Sequence, residues 1–231
     1  GTSSPLWTTG QVNGALGFDG YNDYVALLSP TSLDNIETQG GGGITISAWI
    51  FPNTTSVSQY MVTKDSFNSG YWTLNLAAYA GQVIVRWNKD FATTGMDVYT
   101  SYGDAIAGKW QHVILTWDGS SDANNVHIYV NNIDKTSTRA SGVGNKNSDA
   151  SNNMYIGAYV YGGNTFNGLI DEVRIYNRAL SASDITELYN YTGGTPADTQ
   201  APTVTSFTIP STSSSLTVPI TSFTATDNTA V

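Results

Sequence analysis

Hydrophobic and polar residues alternate through residues 15–176 in short segments that are separated by turn residues. The alternation is clearest in 44–50, where Ile44, Ile46, Ala48 and Ile50 share one parity. A period of two is typical of strands that bury one face. We predict strands at 15–18, 24–28, 44–51, 60–64, 71–79, 82–88, 97–101, 111–117, 126–131, 154–160 and 169–176. Many evenly spaced strands with little helix predict an all-β, two-sheet antiparallel sandwich.

The last predicted strand changes its alternation partway along. Val173 and Ile175 share one face, whereas Ile170 has the opposite parity. This slip predicts a β-bulge near Asp171 and Glu172. One short C-terminal helix should follow, because Ser181 and Asp184 have the spacing of a reciprocal N-terminal cap and Ile185 and Leu188 form an apolar side.

The composition changes after Tyr191, which divides the chain into three predicted parts. Residues 1–191 form the sandwich domain, 192–201 are a linker by their Gly, Pro and Thr content, and 202–231 are rich in Ser and Thr with apolar alternation. About thirty residues cannot close a core alone. We therefore expect the last segment to add strands to an open sheet edge, in its own chain or in a neighbouring one.

The charge and the cysteine count exclude several classes of function. The 231 residues carry a formal net charge of -9 and contain no cysteine. Nucleic-acid binding needs clustered Lys and Arg, so no nucleic-acid partner is expected. Disulfides and thiolate zinc sites are absent. No apolar run reaches membrane-spanning length, so we expect no membrane insertion.

Four segments in order resemble laminin-G-like, concanavalin-A-type jelly-roll domains. They are 15–25 (ALGFDGYNDYV), 44–50 (ITISAWI), 108–113 (GKWQHV) and 168–180 (GLIDEVRIYNRAL). The family usually has an additional opening strand, which the pattern of residues 1–14 does not indicate. Residues 202–231 resemble the start of a bacterial immunoglobulin-like repeat. Together these resemblances imply a secreted or cell-surface bacterial protein, in which neighbouring modules of the same polypeptide are partners.

Calcium is the cofactor that the resemblance implies, in a structural role. Calcium prefers several oxygen ligands from carboxylates, amides and carbonyls. The turn after Phe18 offers Asp19, Asn22 and Asp23, and the bulge offers Asp171. In related jelly-rolls these two segments lie side by side. The alternative is that Asp19 caps the turn while Asp171 accepts backbone hydrogen bonds.

A glycan platform is the second candidate site. Sugar rings stack on aromatic faces, and their hydroxyls pair with planar polar groups. The predicted outward-facing positions are Trp49, Tyr71, Asn75, Arg86 and Asn88. Rim positions that could complete the platform are Lys64, Asp65, Tyr99, Tyr102, Tyr159, Tyr161 and Asn164. The alternative is that the tyrosines are ordinary strand formers and that Trp49 packs beneath a loop.

Catalysis is not expected. Glucanases of this fold carry carboxylates as Glu-x-Asp-x-Glu or Glu-x-Asp-x-x-Glu, and none of Glu37, Glu172 and Glu187 begins such a pattern. His112 and His127 do not form a metal or triad motif. The sequence therefore predicts a non-catalytic lectin-like module that binds a carbohydrate or a cell-surface ligand. A structural spacer or adhesion module is the alternative, and a glycanase is a distant third.

Overall fold

The computed structural model describes residues 4–39, 42–65, 70–79, 82–193, 203–208 and 222–226. The side chains of Tyr79, Gln82, Tyr161, 203–208 and 222–226 are outside this description. The chain divides into two compact units, Gly1–Thr192 and Gly193–Val231.

The regular secondary structure of the first unit is mainly β-strand. In chain order they are β1 (Leu6–Thr9), β2 (Gly14–Asp19), β3 (Val25–Leu27), β4 (Ile44–Pro52), β5 (Gln59–Lys64), β6 (Trp72–Tyr79), β7 (Gln82–Lys89), β8 (Met96–Thr100), β9 (Gln111–Trp117), β10 (Val126–Val130), β11 (Ile133–Asp134), β12 (Thr136–Ala140), β13 (Met154–Ile156) and β14 (Asn167–Tyr176). The helix α1 (Ala182–Asn190) follows β14. Within the described ranges, no helix has the length and apolarity needed to cross a membrane.

The strands form two seven-stranded sheets. Sheet A has the order β1-β2-β14-β4-β9-β10-β11, and sheet B has the order β12-β8-β7-β6-β5-β13-β3. All pairings between neighbouring strands are antiparallel. The predicted fold class is therefore confirmed: the first unit is an all-β, two-sheet jelly-roll sandwich, and its described residues include one short α-helix.

The core lies between the two sheets. Ile44, Ile46, Ala48 and Ile50 of β4 are all buried there, as the alternation predicts. Strands β6, β7 and β9 each supply a tryptophan to the same cluster, in which the centroid of the Trp87 ring lies 5.8 Å from that of Trp72 and 6.2 Å from that of Trp117. Burial of this apolar surface is the main stabilising contribution to the sandwich.

The predicted bulge and helix cap are confirmed. The pairing of β14 with β4 shifts register between Asp171 and Arg174, and Glu172 has a φ of 50°. At α1, the Ser181 hydroxyl accepts the Asp184 backbone N–H, and the Asp184 carboxylate accepts the Ser181 N–H. The helix packs on sheet A through Ile185, which belongs to a small cluster with Ile114 and Leu180.

The prediction that residues 1–14 contain no strand is wrong. β1 forms the edge of sheet A and pairs with β2 through a turn in which Asn13 has a φ of 60°. All four β1 residues are exposed, including Trp7. A strand without a buried face does not need apolar and polar residues to alternate, so the sequence pattern does not indicate β1. The polar strand β12 was missed for a similar reason.

The strand predicted at 154–160 is also shorter in the structure. It ends at Ile156, because the φ of 81° at Gly157 is not a strand conformation. A side chain at position 157 would also collide with Phe18, since an added Cβ would lie 2.2 Å from its ring. A 3-10 turn, Val160–Gly162, follows and redirects the chain.

The second unit contains β15 (Thr203–Thr208) and β16 (Ser222–Thr226), which pair with each other as a two-stranded sheet. The addition of this segment to a sheet edge, in its own chain or in a neighbouring one, stays a prediction. Most of the predicted linker, 194–201, is outside the described residues. The immunoglobulin-like assignment and the domain boundaries at 191 and 201 stay predictions.

Candidate functional site

The outer face of sheet B carries several of the predicted glycan-binding residues. Arg86 lies opposite Asn75 on β6 and opposite Tyr99 on β8. In the next row, Asn88 lies opposite Thr73 and Asp97. These positions have the opposite parity to the core residues of the same strands, so their side chains point away from the sandwich interior. We call Tyr60, Tyr71, Arg86, Asn88, Asp97 and Tyr99 the polar face.

Arg86 and Asp97 form a bidentate ion pair at the centre of the polar face. Arg86 Nε donates to Asp97 Oδ1 at 2.8 Å, and Nη2 donates to Oδ2 at 2.7 Å. Asn88 Nδ2 donates to Asp97 Oδ1 at 2.9 Å. The hydrogen bonds that Arg86 donates to Asp97 raise the pKa of Arg86 above its usual range. The two side chains are 38% and 30% exposed, so both are accessible to a ligand while being held in fixed positions.

A cleft of about 290 Å³ adjoins this ion pair. Its lining consists of Ala77, Ile84, Arg86, Asp97, Tyr99 and Tyr102. Ala77 and Ile84 are nearly buried and provide apolar surface, whereas Tyr102 is 54% exposed. Apolar and aromatic surface beside a few fixed polar groups is typical of small-ligand sites.

Two further polar residues, Asp65 and Tyr159, border the face and are hydrogen-bonded to each other. The Tyr159 hydroxyl donates to Asp65 Oδ2 at 2.7 Å, and the rings of Tyr60 and Tyr159 are 4.8 Å apart. Burial, followed by the hydrogen bond to Asp65, raises the pKa of Tyr159. Burial also raises the pKa of Tyr60 and of Tyr71. These hydroxyls are therefore neutral at physiological pH and can both donate and accept hydrogen bonds.

Three of the predicted ligand contacts are less accessible than expected. Asp65 is 1% exposed and Asn75 is 3% exposed, so neither can touch a ligand without movement of the residues that cover it. Lys64, predicted at the rim, is fully buried. Tyr161 lies in the turn Val160–Gly162, and its side chain is outside the described part of the chain.

The placement of Trp49 beside the polar face is wrong, because β4 belongs to sheet A. Trp49 is 7% exposed and stacks on His112 at 4.8 Å and on Tyr189 of α1 at 5.7 Å between ring centroids. His112 Nε2 is 2.8 Å from Ser47 Oγ. Burial, with a smaller effect of Arg174, lowers the pKa of His112 to about 4. This aromatic layer supports the helix, and the burial of Trp49 leaves little of its ring accessible to a ligand.

Asp97, Tyr60 and the cleft residues Ala77 and Ile84 were not identified from the sequence. Asp97 has the same parity as Tyr99, two residues later, and faces Asn88 across the strand pair. The register of the β7–β8 hairpin would have revealed it. Registers across longer connections cannot be read from alternation alone.

The four predicted calcium ligands do not form one site. Asp19 Oδ1 accepts the N–H groups of Tyr21 and Asn22, and Asp23 Oδ2 accepts the N–H of Asp19. Asp171 Oδ2 accepts the N–H of Val12.

The strand register explains the separation. Asp19 pairs with Asn167, so Asp171 lies four residues, or about 13 Å, further along β14. Across the described ranges, no group of three or more His, Asp or Glu residues could hold a metal ion. Calcium binding itself stays a prediction.

The fold defines a class of two-sheet antiparallel sandwiches that includes lectins, binding modules and glucanases. Residues 19–186 match the family described as the concanavalin A-like lectin/glucanases superfamily. The chain belongs to this family. No curated protein matches this chain.

Solved structures with a similar fold include domains of larger proteins. Domain 4 of AbnA, a GH43 extracellular arabinanase from Geobacillus stearothermophilus in complex with arabinotriose, has a TM-score of 0.57 and 18% identity, covering 81% of this chain and 82% of that one. The binding domain of Paraclostridial Mosquitocidal Protein 1 has a TM-score of 0.59 and 19% identity, with coverages of 81% and 46%. The binding domain of botulinum neurotoxin DC in complex with SialylT has a TM-score of 0.55 and 17% identity, with coverages of 81% and 44%. The chain spans less than half of the two toxin domains, and these similarities show the fold alone.

Proposed function

We propose that the protein is a non-catalytic carbohydrate-binding module of a secreted or cell-surface protein, and that the polar face of sheet B binds the glycan. The observation that carries the proposal is the Arg86–Asp97 ion pair, fixed by Asn88, at the edge of a cleft with apolar and tyrosine surface. The arabinotriose complex of the arabinanase domain supports a carbohydrate ligand.

Each part of the cleft suits a different part of a sugar ring. The C–H face of a sugar packs against apolar or aromatic surface, here provided by Ile84, Tyr99 and Tyr102. Ring hydroxyls pair with groups that donate and accept in one plane, which Arg86 and Asp97 provide together. Because the ion pair is already formed, these groups need little reordering when a glycan binds.

The test is an oligosaccharide array that includes arabinotriose, followed by titration calorimetry with each positive glycan. Arg86→Ala removes the donor fork, and a hydrogen bond to a charged group contributes about 1.5–3 kcal/mol, so affinity should fall by about 10- to 100-fold. Running the array with calcium and with a chelator also tests the calcium prediction.

Arg178→Ala is the matched control. Arg178 also forms an exposed ion pair, with Asp184 at 2.9 Å, but it lies next to α1 and away from sheet B. This variant should bind like the wild type. An array without any positive glycan, or equal binding by Arg86→Ala and wild type, would show that the proposal is wrong.

A further inference from the structure

We infer that the polar face selects uncharged glycans over acidic ones, and that Asp97 is the residue that determines this selectivity. The inference depends on the proposed function and concerns the class of glycan that the same site accepts.

Arg86 is the one cation among the residues that define the polar face and line the cleft. A carboxylate of a uronic or sialic acid binds a guanidinium group most tightly when two N–H donors on one edge reach it. The Nε/Nη2 edge of Arg86 is already used, because both atoms donate to Asp97. An acidic sugar would therefore have to displace the Asp97 carboxylate or bind the Nη1 side of a guanidinium group whose charge Asp97 already balances.

The surrounding charges also disfavour an anion. Asp90 lies beside Tyr71, and its Oδ2 accepts the Gly70 N–H and Asn147 Nδ2. Asp65 lies beneath Tyr159. The lysines next to them in sequence do not offset these charges, since Lys64 Nζ and Lys89 Nζ are directed into the interior.

The interior partners of Lys64 and Lys89 are acidic residues. Lys64 Nζ contacts Asp34 and Asp149, and Lys89 Nζ lies 3.2 Å from Glu37 Oε1. The region around the cleft therefore has more negative than positive charge, and a second anion would be repelled. A neutral glycan meets no such penalty and can use both members of the ion pair.

Asp97→Asn is the variant that tests the inference. It keeps the shape of the side chain and one acceptor for Arg86, but it removes one negative charge and frees part of the guanidinium edge. Glu187→Gln is the matched control, because Glu187 is an exposed carboxylate on α1 and its loss changes the net charge equally. The ligands are a neutral oligosaccharide that is positive on the array, its counterpart with a terminal uronic acid, and a sialylated oligosaccharide.

The wild type and Glu187→Gln should bind the neutral glycan at least tenfold more tightly than either acidic one. In Asp97→Asn this ratio should fall by at least tenfold, through tighter binding of the acidic glycans. Equal wild-type affinity for neutral and acidic glycans, or the same ratio in both variants, would overturn the inference and leave the proposed function standing. Failure of the wild type to bind any glycan would instead overturn the proposed function, and this inference with it.

Discussion

At the scale of single residues, the least expected feature is a set of charged side chains inside the sandwich. Lys64 is fully buried, and its Nζ lies 2.9 Å from Asp34 Oδ1 and 3.2 Å from Asp149 Oδ1. Asp149 is also fully buried and accepts Trp72 Nε1 at 2.9 Å. A charge removed from water is tolerated only when it is paired and hydrogen-bonded. The buried charge of each of these side chains is therefore stabilised by its partner.

Replacing Lys64 by Met should destabilise the protein by about 3–5 kcal/mol, because the buried Asp149 carboxylate loses its cation. The measurement is the free energy of unfolding in urea. Lys135→Met is the control, since Lys135 is 39% exposed in its ion pair with Asp104 and should cost less than about 1 kcal/mol. Similar losses in the two variants would show that the interior ion pair is not a structural requirement.

The same residues show what the sequence can predict at this scale. Alternation correctly places Trp72, Trp87 and Trp117 in the core, because their size and apolarity fit one parity. It assigns Lys64 to the rim for the equivalent reason, since a lysine is read as polar. The partner that makes its burial possible, Asp149, is 85 residues away in the sequence. No local pattern contains that information.

At the scale of elements, the helix α1 was predicted and its effect on sheet A was not. Ser181 and Asp184 are local signals, so the capping box could be read directly. Trp49 alternates with the core residues of β4 and was therefore assigned to an exposed face. It is buried because Tyr189 of α1 stacks on it, and such packing between distant elements is absent from strand periodicity.

The layer beneath α1 should make stability depend on pH. The pKa of His112 is lowered to about 4 in the folded protein, against about 6.5 when unfolded. The unfolded chain thus binds more protons between these values, so stability is full above pH 6.5 and falls as the pH drops towards 4. Over this pH range, the protonation of His112 should lower the free energy of unfolding by about 3 kcal/mol.

His112→Gln should remove this part of the pH dependence, which is measured as the free energy of unfolding from pH 7 to pH 4. His127→Gln is the control, because His127 is 39% exposed beside Asp134 and lies outside the aromatic layer. NMR titration of the wild type gives an independent measurement, in which His112 should remain neutral above pH 5. A His112 signal that titrates near pH 6.5 would contradict the assignment of a buried neutral ring.

At the scale of the whole molecule, four sequence segments in order were sufficient to predict the sandwich, because each one marks a strand of a fixed topology. They were not sufficient to locate the site. The polar face depends on the order β8-β7-β6-β5 in sheet B, which places Asp97 and Arg86 on neighbouring strands and Tyr60 two strands beyond Arg86. Strand order follows from connections across the whole domain, and parity only states which residues point outward.

The first unit should fold without the second. Both described core clusters lie within Gly1–Thr192, as do the polar face and the buried ion pairs. A fragment of residues 1–192 is therefore expected to melt at the same temperature as the full chain and to bind the same glycans with the same affinity. Differential scanning calorimetry and glycan titration of both proteins measure this.

For a domain of this size, a loss of 1 kcal/mol lowers the melting temperature by about 2–4 °C. A larger decrease in the fragment would mean that residues after Thr192 contribute to the stability of the sandwich, and a loss of binding alone would place part of the glycan site in the second unit.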